Sequence, residues 1–167
     1  MSKIRDTQRS KLYRAEGVVL GKNFITMPQI EAYIGKVTHS AWWKKYHKYY
    51  TYPVVVHDGR GCRRALAIGM TDVKFPKWAR HEEVILHELA HLVVHSHYGY
   101  SGAAGHGREF AKVLLLLVKR FMGKEAYLKM KASFKEHHIK HTCTLPTNHT
   151  PKVRIAGGDY VYVAKRK

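Results

Sequence analysis

The sequence predicts an α+β fold: a small antiparallel sheet in the first half, packed on two long helices, with a β-hairpin tail at the C-terminal end. Three observations predict it. Short β-branched runs broken by turn residues occupy positions 18–69. Apolar residues then recur at helical spacing from Trp78 to His138. A last alternating stretch surrounds Gly157-Gly158-Asp159.

Residues 1–16 read as a first helix, with Leu12 and Ala15 apolar among charges. Val18-Val19-Leu20 and Phe24-Ile25-Thr26, joined by Gly21-Lys22-Asn23, read as strand, turn, strand. Pro28 suits the first turn of a short helix that Gly35 would end. Tyr52 to Val56 reads as a strand, Asp58-Gly59-Arg60-Gly61 as a turn and Arg64 to Gly69 as the returning strand. Past Phe75-Pro76 a helix starts near Lys77 to Arg80, with Ile85, Leu89, Leu92 and Val93 on its apolar face and Gly99 at its end. Phe110, Val113, Leu114, Leu117, Val118 and Phe121 keep the spacing of an amphipathic core helix, and Gly123 is placed to cap it. A third helix spans Lys124 to His138, with Tyr127, Met130 and Phe134 inward. Residues 145–151 read as a linker, and Val153 to Ala156 and Tyr160 to Val163 as the hairpin. The expected division is a domain over 1–140 and a basic tail over 141–167.

Lys and Arg number 30 against 12 Asp and Glu, a formal charge of +18 that calls for an anionic partner, nucleic acid first. The 45% apolar and 25% charged content is that of a globular protein. The longest strongly apolar run, Val113 to Val118, is too short for a membrane, and Met1 to Lys11 lacks a signal peptide's apolar stretch. The two cysteines, Cys62 and Cys143, form no Cys-x-x-Cys pair, which excludes a disulfide framework and a cysteine zinc ribbon. The expected location is cytoplasmic. Trp42-Trp43-Lys44-Lys45, with Lys48, interleaves aromatics and cations as a surface that stacks bases and neutralises phosphates does. The same pattern also fits aromatics buried in the core beneath lysine stems. Lys165, Arg166 and Lys167 end the most electropositive part of the chain, a second candidate contact for nucleic acid.

His87-Glu88-Leu89-Ala90-His91 carries the chemistry. Histidines at i and i+4 lie on one helix face and can converge on one metal ion, with Glu88 placed to take a proton from a water held there. A catalytic zinc needs a third protein ligand and an open position. His97 stands where metzincins place theirs, but Val94 replaces the glycine that turns the chain back. His95 lies too far along the helix. His106, after the Gly102-Ala103-Ala104-Gly105 loop, can fold back and is the favoured ligand. Glu109 is the alternative ligand, or a residue that orients one. A chain with 13 histidines also admits the plainer reading of a histidine-rich helix without metal.

His87-Glu88-x-x-His91 followed by His106-Gly107-Arg108-Glu109-Phe110 at a helix start resembles the SprT-like (Spartan-type) metalloproteases. Asp6 to Glu16, the Trp42-Trp43 segment and Ala79 to Val84 are similar to small metallohydrolases of actinobacteria and their phages, which would put the protein in a host cytoplasm. The resemblance covers roughly residues 6–139 and implies a zincin-type helix and a metalloprotease that acts on DNA-associated proteins. The expected activity is therefore zinc-dependent peptide hydrolysis, with His87, His91 and His106 as ligands and Glu88 as general base. Tyr98, Tyr100 or Arg108 would serve as oxyanion donor. The alternative is a nucleic-acid-binding or structural protein whose zinc is closed by a fourth ligand from His95, His97 or Glu109.

Overall fold

The computed structural model describes residues 4–148 together with the backbone of two further strands, Lys152–Arg154 and Tyr160–Tyr162. Among the described residues the helices are α1 (Arg9–Glu16), α2 (Met27–Thr38), α3 (Ala41–Tyr46), α4 (Glu82–Tyr98), α5 (Arg108–Phe121) and α6 (Lys124–Glu136). Three strands, β1 (Val55–Asp58), β2 (Leu66–Ile68) and β3 (Asp72–Phe75), precede α4. No helix among the described residues is long and apolar enough to cross a membrane.

The core forms around α4, which packs on α5 on one side and on β2 and β3 on the other. Because both sides are covered, Ile85, Leu86, Leu89, Leu92 and Val93 are buried, and so are His87 and Glu88. In α5 the apolar stripe from Phe110 to Val118 is buried as its spacing predicts. Gly123 follows it at φ +96, a left-handed conformation that favours glycine, and its N–H reaches back to Val118 O at 3.1 Å.

The sheet differs from the expected antiparallel one. Its order is β1-β3-β2: β3 pairs parallel with β1 and antiparallel with β2. The returning strand therefore does not lie beside β1. The tight turn at Gly69 (φ +65) lets β2 pair with β3 instead. Gly59 N–H donating to Phe75 O at 3.0 Å closes the end of the parallel pair.

The strand pair expected at 18–26 is absent. That loop spends its backbone donors on the start of α4. Gly21 N–H reaches Glu83 Oε2 at 2.9 Å, Lys22 N–H reaches Glu82 Oε2 at 3.2 Å, and Phe24 N–H reaches Arg80 O at 2.8 Å. Carboxylates at a helix N-terminus thus replace a ladder, and Leu20 and Ile25 stay exposed. Gly21 must be glycine, since a Cβ would stand 2.6 Å from Glu82 Cβ. Helix α2 runs past Gly35 to Thr38, because burial of Ile34 and Val37 offsets the ~1 kcal/mol a helical glycine costs. Helix α4 begins at Glu82, after a single 3-10 turn over Lys77–Ala79.

The aromatic and basic segment divides by depth. Ser40 caps α3, accepting Trp43 N–H at 3.2 Å. Trp43 is fully buried and stacks on His47 at 4.5 Å, so its indole has no face to offer a base. Trp42 is half-buried against Tyr46, while Lys44, Lys45 and Lys48 are exposed. Residues 145–148, read as linker, pack back on the domain. Leu145 joins the core, and Asn148 Nδ2 donates to Lys44 O and His47 O at 2.6 and 3.0 Å. Strands Lys152–Arg154 and Tyr160–Tyr162 pair antiparallel. Lys165, Arg166 and Lys167 lie outside the described residues.

His47 makes stability pH-dependent. Burial pushes its pKa from 6.5 down to about 4, only partly opposed by its bond to Met70 O, and the neighbouring His97 lowers it further. The unfolded chain therefore takes up this proton before the folded one does as pH falls. The contribution is complete above pH 6.5 and is lost on the way down to about 4, a change of roughly 3 kcal/mol. Urea midpoints of the wild type should fall across that window, and those of His47→Phe should fall less. Equal slopes would remove His47 as the cause.

Candidate metal centre

Three segments build the site. His87 and His91 project from α4 one turn apart, their ring centroids separated by 5.0 Å. Gly99, at φ +65, ends α4 and lets the chain turn, and the loop that follows brings His106 back beside both. Its ring lies 5.3 Å from His87 and 4.8 Å from His91. One ligand nitrogen from each of the three falls within 4.8 Å of the others, and no further residue joins this group among the described residues. His87 and His106 are buried, and His91 is half-buried.

The nitrogens are sorted. His87 Nδ1 faces both oxygens of Glu16, at 2.9 and 3.1 Å. His106 donates Nδ1–H to Asp6 Oδ2 at 2.7 Å, and its backbone N–H reaches the same oxygen at 3.2 Å. With both Nδ1 atoms turned to carboxylates, the two Nε2 atoms meet at 3.4 Å. Nitrogens so placed need a proton or a cation between them. Two imidazoles on one tetrahedral zinc, with bonds of about 2.05 Å, have their nitrogens about 3.3 Å apart. The residues present therefore fit a zinc ion.

The electrostatics of two of the three histidines agree with that fit. Burial, with His87 and His106 alongside, holds His91 well below the ordinary histidine value. His106 is also lowered by burial despite Asp6. Both therefore offer lone pairs at neutral pH. His87 is different: burial pulls it down, but the charge and hydrogen bond of Glu16 more than reverse this and leave it raised. Glu88 is buried beside the triad, and burial raises its pKa against the opposing pull of His87 and of a bond from the Ala67 backbone. A cleft of about 360 Å³, lined by Arg9, Tyr13, Arg64 and Trp78, reaches His87 and Glu88.

Phe110 lies against all three imidazoles, at 4.8 Å from His87, 4.3 Å from His91 and 5.0 Å from His106. Tyr13 stacks on His87 at 5.5 Å and meets His106 edge-on at 5.0 Å. Other residues singled out in the sequence are engaged elsewhere. Glu109 accepts from Arg108 Nε at 3.0 Å. His95 Nδ1 bonds Gly69 O at 3.2 Å, and His97 Nε2 bonds Tyr46 O at 2.7 Å. Tyr100 Oη accepts the Gly69 N–H, and Tyr98 packs on the core. The carboxylates that face His106 and His87 are Asp6 and Glu16, which sequence reasoning missed. A signal for Glu16 was present: it follows buried Leu12 by four positions, a charge on the apolar face of α1.

Comparisons of the chain with protein-family models, with curated proteins and with solved structures each found no match.

Proposed function

We propose that the protein is a zinc-dependent metallopeptidase that hydrolyses peptide bonds, with DNA-associated proteins as its substrates. The observation that carries the reading is the convergence of His87, His91 and His106 beside a buried glutamate at the end of an open cleft. The SprT-like motif His87-Glu88-x-x-His91…His106-Gly107-x-x-Phe110 supports it. Zinc bound there supplies Lewis acidity, bringing the pKa of water to about 7 and polarising the carbonyl under attack.

The chain's own residues do the rest. Glu88 takes the proton of the attacking water and passes it to the leaving amine. Its raised pKa brings it closer to the value a group needs to accept and return a proton at neutral pH. Tyr13, rather than Tyr98, Tyr100 or Arg108, lines the cleft that reaches the site. Phe110 and the buried face of α4 keep water from the side away from the cleft. The engagement of His95, His97 and Glu109 elsewhere supports an open coordination position over a closed structural one. The reading is tested by hydrolysis of an unfolded protein with zinc present, lost on chelation and restored by zinc. Absence of hydrolysis by protein that holds one zinc per chain would refute it.

The nucleic-acid half of the reading rests on the +18 charge and on the exposed Lys44, Lys45 and Lys48. Six or more phosphate contacts would weaken DNA binding about 10³-fold between 50 and 200 mM salt. Fluorescence anisotropy with a labelled oligonucleotide measures this, and no binding at low salt would discard the DNA half alone.

A further inference from the structure

We propose that the segment from Asp6 to Glu16 is an energetically coupled part of the metal centre, so that its docking and metal binding stabilise each other. This rests on reading His87, His91 and His106 as metal ligands.

Two of the three ligands are held from behind by this strap. Asp6 Oδ2 takes both the ring and the backbone N–H of His106, and Glu16 closes on His87 Nδ1. Each bond places the proton on Nδ1 and leaves Nε2 turned towards the other imidazole. His91 is held differently, by the rings of Phe110 and His95 at 4.3 and 5.7 Å. Between the two carboxylates, Tyr13 lays its ring on His87 and His106. The strap thus sets both the tautomer and the direction of two ligands.

The strap does not hold itself in place. A helix of eight residues is too short to persist without docking contacts. Leu12 and Ala15 bury its apolar side completely. At its other end Gln8 makes a reciprocal amide pair with the backbone of Lys140, just beyond α6. Gln8 Nε2 donates to Lys140 O at 3.1 Å, and Lys140 N–H donates to Gln8 Oε1 at 3.0 Å. Gln8 is 9% exposed and bonds none of the three histidines. Yet it fixes the segment that presents Asp6 and Glu16. A cation at the Nε2 atoms strengthens both Nδ1–H bonds to carboxylate, so occupancy must tighten the strap by the factor by which the strap tightens binding. Asp6, Glu16 and Gln8 are positioning residues in this scheme.

Two measurements on the full chain test the coupling: zinc affinity by chelator competition, and amide hydrogen exchange over residues 9–16 with and without zinc. Asp6→Asn and Glu16→Gln should weaken zinc binding about 10- to 100-fold. They should also shift the visible bands of the cobalt-substituted protein, which a purely structural role would leave alone. Gln8→Ala should weaken zinc binding roughly 5- to 50-fold without touching a ligand. Glu109→Gln, bonded to Arg108 instead, should stay within about twofold, below the range of such couplings. Zinc should slow exchange over residues 9–16 in the wild type, a result that needs no variant to fold. Unchanged zinc affinity in a folded Gln8→Ala, or exchange over residues 9–16 indifferent to zinc, overturns the coupling while leaving the metal reading intact. A wild-type chain that binds no zinc overturns both.

Discussion

Glu88→Gln is expected to keep its zinc and to lose peptide hydrolysis, with kcat/KM falling about 10²- to 10⁴-fold. The substitution is close to isosteric. Glutamine retains an oxygen that can accept the Ala67 N–H now bonded to the Glu88 carboxylate, so the packing of α4 against β2 should survive. His87, His91 and His106 are untouched, and metal content should remain one per chain. What disappears is a group able to take up and return a proton. That group is buried and its pKa is raised, both features that fit it to the task. Metal analysis beside a hydrolysis assay checks the expectation. Hydrolysis at the wild-type rate would remove Glu88 from proton transfer, whereas loss of zinc would show that its role is to hold the site together.

Phe110→Ala should cost about 3–5 kcal/mol of stability, the range for deleting a large aromatic from a core. Phe110 has no exposed surface, and its ring touches all three imidazoles of the candidate centre. Truncation leaves a cavity against the ligands, which then lose the surface that fixes their rotamers. Zinc affinity should fall along with the urea midpoint. Phe110→Leu fills most of the space and should cost less in both. If the metal-free stability of Phe110→Ala drops while zinc affinity holds, the ring is core filler and does not shape the site.

The residues that carry the candidate chemistry were legible because their signal is local. The i, i+4 spacing of His87 and His91 fixes a shared helix face wherever the helix sits, and Glu88 comes with them. The small-residue loop after Gly99 and the helical period from Phe110 placed His106 at a turn able to come back, as it does. The long helices were legible for the same reason: burial on one face leaves a period in the sequence. The strand pairing at 18–26 failed because β-branched residues also suit an extended loop when its donors have other partners. Here those partners are Glu82 and Glu83, some sixty positions away. For Trp42 and Trp43 the pattern was two-sided, and depth in the fold separated them, burying one and half-exposing the other.

By itself, then, the sequence determined the three histidines, the glutamate beside them, the helices that carry them and an excess of positive charge. Tertiary structure decided the mixed pairing of the sheet, the burial of Trp43 and the two carboxylates behind the ligands. Asp6 reaches His106 across 100 positions and Glu16 reaches His87 across 71. Contacts over such separations are made by packing two surfaces together, and they leave no spacing in the chain from which to read them.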